Sequence, residues 1–87
     1  LTGLSAAVDL AKSGRSVVLL EAENVGFGAS GRNGGQAIFG YSCDQAKIAA
    51  QLGREDSRRL FDWSLEAVRL LRERSSEFGI DCDWRDG

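Results

Sequence analysis

One short run constrains this chain more than any other: Ser16-Val17-Val18-Leu19-Leu20, β-branched in its middle and apolar on both faces. A strand with one wet face alternates apolar and polar residues, so a run without alternation reads as a strand buried inside a parallel sheet. Such a strand needs partners on both edges, and the remaining sequence offers no second convincing central strand. Ahead of it, Gly3 to Ser13 carries Leu4, Ala7, Val8, Leu10 and Ala11 on one helical face, and Gly14 stands where a helix C′ glycine belongs. Helix followed by buried strand is the second half of a β-α-β crossover. The expected fold class is therefore α/β, and the opening Leu1-Thr2-Gly3-Leu4, without a methionine, reads as a start in mid-element. The whole of residues 1–87 is expected to be one partial domain that folds poorly alone.

Composition removes several classes of function. Hydrophobic residues make up 43% and charged residues 28%, an ordinary globular balance. A net charge of -2 gives no electrostatic footprint for nucleic acid or anionic lipid. Val17 to Leu20 is far too short to span a bilayer, and nothing near Leu1 has the order of a signal peptide. The expectation is a cytoplasmic protein with neither a nucleic-acid nor a membrane partner. Cys43 and Cys82 match no metal spacing, and histidine is absent, so no metal site is expected. Both thiols are expected to be reduced and at least half buried.

Beyond the strand, Val25 to Gln36 packs five of the eleven glycines into twelve positions, which no regular element tolerates. Asp44 can cap a short helix ending before Gly53, and Glu55 and Asp56 open a longer one running to about Phe78. Leu60, Phe61, Leu65, Val68, Leu71 and Phe78 mark its inner face, while Glu66 and Arg69 are spaced for a surface pair. Trp63 and Phe61 read as packing residues rather than a stacking platform, since no basic groove accompanies them. Ile80-Asp81-Cys82-Asp83-Trp84 alternates and allows an edge strand.

Two glycine signatures compete for a dinucleotide. Gly26-Phe27-Gly28-Ala29-Ser30-Gly31 is a literal G-x-G-x-x-G, but five residues separate it from the strand and Asn33-Gly34-Gly35 is a poor helix start. A phosphate-cradling loop must leave a strand directly and open a long helix. The better placement makes Leu1-Thr2-Gly3 the end of that fingerprint. Glu21 then stands at the strand's carboxyl end, where an acidic side chain binds the adenosine ribose. An acid there favours an unphosphorylated ribose. The bland alternative, a packing glycine and a solvated acid, stays open on spacing alone.

The sequence Leu20-Glu21-Ala22-Glu23, followed by Val25-Gly26-Phe27-Gly28-Ala29-Ser30-Gly31-Arg32-Asn33-Gly34-Gly35-Gln36, closely resembles FAD-dependent oxidoreductases of the D-amino-acid oxidase superfamily. Within it, the match is nearest to the gamma-glutamylputrescine oxidoreductase-like branch. Ser57 to Trp63 and Gly79 to Trp84 are similar to that branch as well, so the resemblance covers essentially the whole chain. It implies a fragment of a doubly wound, Rossmann-like FAD-binding domain with inserted helices. It implies FAD as cofactor, held by Gly3, Glu21, Ser30, Gly31, Arg32, Asn33, Gly34, Gly35 and Gln36. The chemistry it implies is oxidation of a C–N bond in a small amine or amino acid, with oxygen as acceptor, as in polyamine catabolism. The catalytic residues it implies lie on other chain. Two readings stand beside it: another FAD- or NAD-dependent dehydrogenase of the same N-terminal architecture, and a non-catalytic helical module.

Overall fold

Helices form wherever apolar residues recur at three- and four-residue steps and a cap closes the run. The computed structural model describes residues 1–87 and contains three α-helices, α1 (Thr2–Lys12), α2 (Gln45–Leu52) and α3 (Arg54–Glu77), with a 3-10 turn at Gly28–Ser30. The chain divides into two compact units, Leu1–Gln36 and Ala37–Gly87.

In the first unit, α1 ends where the sequence predicts. The Gly14 amide donates to Ala11 O at 2.9 Å and the Arg15 amide to Leu10 O at 3.1 Å, a Schellman closure with Gly14 at φ +80°. No residue of α1 is buried. Gly3 lies against the following segment, where an added Cβ would sit 3.4 Å from Leu19 Cδ1. The expected strand at residues 16–20 forms no ladder, and the chain contains no strand at all. The reason is the one that makes the run distinctive. A ladder needs a second extended segment, and without one Val18 is 82% and Leu20 87% exposed.

The second unit is a helical hairpin. Asp44 caps α2 as expected, its Oδ1 accepting the Ala46 amide at 2.9 Å. Gly53 joins α2 directly to α3 at φ 84°, ψ 166°, a conformation essentially reserved for glycine. Glu55 and Asp56 in the first turn and Arg74 in the last complement the dipole of α3. A second Schellman closure, Gly79 amide to Ser76 O and Ile80 amide to Ser75 O, ends it.

α2 packs on α3, and the buried positions there are Ile48, Ser57 and Ser64. Leu60, Phe61 and Val68 are half-buried on the same stripe of α3. Leu65, Leu71 and Phe78, expected on the inner face, are exposed instead. The serines explain the shift. The Gln45 amide Nε2 donates to both Ser57 O and Ser57 Oγ at 2.7 Å, and Ser64 Oγ donates to Phe61 O at 2.7 Å. Satisfied in this way, small hydroxyls line the contact with α2 without an unpaired polar group. Phe39 meets Phe61 edge-on, with ring centroids 5.9 Å apart, and Tyr41 OH donates to Leu60 O at 3.0 Å.

Four further expectations are corrected. Trp63 does not pack; it is 61% exposed. Arg69 pairs with Glu73 at 3.4 Å rather than with Glu66; acids three residues before and four residues after it share its helix face, and the guanidinium takes the later one. Cys43 and Cys82 are both exposed free thiols, lying outside the helices where nothing covers them. The edge strand at residues 80–84 is absent. Asp83 takes φ 52°, and Arg72 grips Asp86 through both oxygens at 2.9 Å while Trp84 Nε1 donates to Asp86 Oδ1. These side-chain bonds tie the tail to α3 in place of a ladder.

Candidate functional site

The glycine tract is a folded turn, and its shape follows from where side chains are missing. Phe27 amide donates to Asn24 O at 2.9 Å, and the amides of Gly31 and Arg32 both donate to Gly28 O, at 3.3 and 3.1 Å. A Cβ on Gly31 would collide with the Gly26 carbonyl oxygen, so the turn closes only with glycine at that position. The literal G-x-G-x-x-G thus coils back on itself, and the next helix begins only at Gln45.

Asn33 holds the rest of the turn. Its Nδ2 donates to Ala29 O at 2.8 Å and Ser30 O at 3.0 Å, and its Oδ1 accepts the Gly35 amide at 2.8 Å. Both amide donors are therefore spent inside the turn, and Asn33 acts as its strut. Gly34 and Gln36 are exposed, and the Gln36 side chain makes no hydrogen bond. The guanidinium of Arg32 lies over the Phe27 ring, 5.9 Å from its centroid, and pairs with no carboxylate.

Two of the predicted residues, Gly3 and Ser30, lie near the start of α1. Ser30 Oγ lies 3.5 Å from the Leu1 nitrogen, so the glycine turn comes near the start of α1. Leu1 supplies no side-chain cap, and the first intrahelical bond is Ser5 amide to Leu1 O at 2.9 Å. The amides of Thr2, Gly3 and Leu4 consequently have no acceptor within the helix, the arrangement that favours an anion. Gly3 lies against the Leu19 side chain, two residues before Glu21. One Glu21 oxygen, Oε1, accepts the Glu23 amide at 3.0 Å and so fixes the carboxylate against its own loop.

Phe27 is the residue that sequence reading passed over. Its signal was available: an aromatic between two glycines, five positions before the lone arginine of the tract.

A model of the family described as FAD dependent oxidoreductase matches residues 1–87. The chain is 48% identical over 86 residues to gamma-glutamylputrescine oxidoreductase of Escherichia coli, covering 99% of this chain and 20% of that protein. It is 45% identical over 85 residues to the probable oxidoreductase OrdL of Haemophilus influenzae, covering 98% of this chain and 20% of that protein. OrdL of Rhizobium meliloti is 43% identical over 86 residues, covering 99% of this chain and again 20% of the relative. No solved structure gives a significant match. The chain thus spans about a fifth of the length of the curated relatives it matches. With the match running from its first residue to its last, the chain belongs to the FAD-dependent oxidoreductase family.

Proposed function

We propose that the protein carrying this chain is an FAD-dependent amine oxidase acting on γ-glutamylputrescine or a closely related small amine. The observation that carries the cofactor half of this reading is the match of the FAD-dependent oxidoreductase family over residues 1–87. The residues present fit FAD. Amides without acceptors suit the pyrophosphate, Gly3 lets α1 lie close to Leu19, and the glycine turn lets backbone approach closely. Ser30 and the backbone from Gly31 to Gln36 would line the cofactor, with Arg32 supplying positive charge and Glu21 meeting the adenosine ribose. Asn33 would serve by holding that turn in shape. This residue set belongs to a doubly wound domain in which Val17 to Leu20 is a central strand, flanked by strands from other parts of the protein.

The substrate half rests on the 48% identity to a relative whose name specifies γ-glutamylputrescine. In the proposed reaction an R–CH2–NH–R′ substrate and oxygen give R–CH=N–R′ and hydrogen peroxide. Water then converts the imine to an aldehyde, or a keto acid from an amino acid, and releases ammonia or the amine. FAD, when bound, supplies the two-electron acceptor. Residues 1–87 contribute the cradle and none of the groups that position a substrate, so this stretch alone is inactive. No helix is long and apolar enough to cross a membrane; we place the enzyme in the cytoplasm, with small molecules as its partners.

The test is to purify the full-length protein and add γ-glutamylputrescine in air. A yellow protein with flavin absorption, forming peroxide in step with substrate loss, is the expected result. A colourless protein overturns the cofactor assignment. A yellow one that is reduced by substrate without forming peroxide overturns oxygen as acceptor and identifies a dehydrogenase.

A further inference from the structure

We propose that Phe27 is a positioning residue for Arg32, holding its guanidinium in the orientation that meets the FAD pyrophosphate; this rests on the cofactor reading above.

Arg32 is the lone cation between Arg15 and Lys47, and it stands in the middle of the glycine turn. Five of the other eight arginines take carboxylate partners: Arg58 with Asp62, Arg59 with Glu55 and Asp56, Arg69 with Glu73, Arg72 with Asp86, Arg85 with Asp83. Arg32 instead lies over an aromatic face. A ring orients a guanidinium without neutralising it, because the attraction comes from the ring quadrupole and leaves all five N–H donors free. That is the arrangement needed by a cation whose partner is an incoming anion. A carboxylate in the same place would compete with phosphate for the fork.

The local chain supports the assignment independently. Phe27 is fixed by its amide bond to Asn24 O, and Arg32 by its amide bond to Gly28 O, so both ends of the contact are anchored in one turn. A long, flexible arginine held in one orientation loses less freedom when its ligand arrives.

The experiment measures FAD affinity of the full-length protein after removal of flavin, by fluorescence titration at several salt concentrations. Wild type is compared with Phe27→Leu, Phe27→Tyr, Arg32→Gln and the double variant Phe27→Leu/Arg32→Gln. Phe27→Leu should weaken FAD binding about two- to fivefold, the range of an exposed cation–aromatic contact. Phe27→Tyr should bind as wild type does. Arg32→Gln should flatten the salt dependence, and adding Phe27→Leu to it should change nothing further. Equal losses from Phe27→Leu with and without Arg32 would overturn the positioning role while leaving the cofactor reading intact. A wild-type protein with no affinity for FAD would overturn both.

Discussion

In residues 37–87 each helix finds its neighbour within the same segment. α2 packs on α3, Ile48 is buried, and Gln45 bonds Ser57 twice. In residues 1–36 the one helix buries nothing, and Val18, Leu20 and Val25, the last 91% exposed, face solvent. The apolar content of the two regions does not account for this. Helical hairpins close locally, because contacts at short sequence separation suffice; a central strand depends on ladders that distant chain must supply. In the proposed doubly wound domain the first region would be completed by other parts of the protein, and it is the one that holds the candidate cofactor residues.

Separating the two regions puts that contrast to its hardest test. As peptides, residues 37–87 should keep a helical circular dichroism signal, while residues 1–36 should lose most of theirs. An 11-residue helix falls below the about 12–15 residues at which isolated helices become even marginally stable. Equal helicity in both would break the comparison. Next in size, Ile48→Ala should destabilise the hairpin by about 2–4 kcal/mol, read from its thermal melt, since no other apolar side chain there is fully shielded. Gly31→Ala should act on the other side of the divide. It should strain the turn by about 1–3 kcal/mol and lower flavin occupancy of the full-length protein, while residues 37–87 melt as before. Smallest of all, Arg59→Ala removes two exposed ion pairs, to Glu55 and Asp56, and should shift stability by about 0.5 kcal/mol or less.

The same contrast explains what could be read in advance. Asp44, Gly53, Gly14 and the acidic start of α3 marked helix ends correctly, because caps act through neighbours a few residues away. The buried stripe of α3 was misread. A pattern of large apolar residues pointed to Leu65 and Leu71, whereas the contact with α2 runs over Ser57 and Ser64. The bonds from Gln45 hold Ser57 in the interior, and no periodicity encodes that. Likewise Val17 to Leu20 has the composition of a strand, yet pairing is a property of two segments. In the glycine turn, residue types marked the region, but Asn33 turned out to bond its own backbone and Arg32 to rest on Phe27. Asparagine amides and arginine forks serve ligands and turns equally well, so composition alone does not separate the two uses.

The internal bonding of Asn33 has a kinetic side. With its amide tied to Ala29, Ser30 and Gly35, the backbone across those residues is already confined before any ligand arrives. Ordering a free loop of that length forfeits about 1–2 kcal/mol of conformational entropy per residue. Here that loss is taken during folding, so under the proposed reading cofactor capture would be a matter of collision rather than of waiting for a rare loop shape.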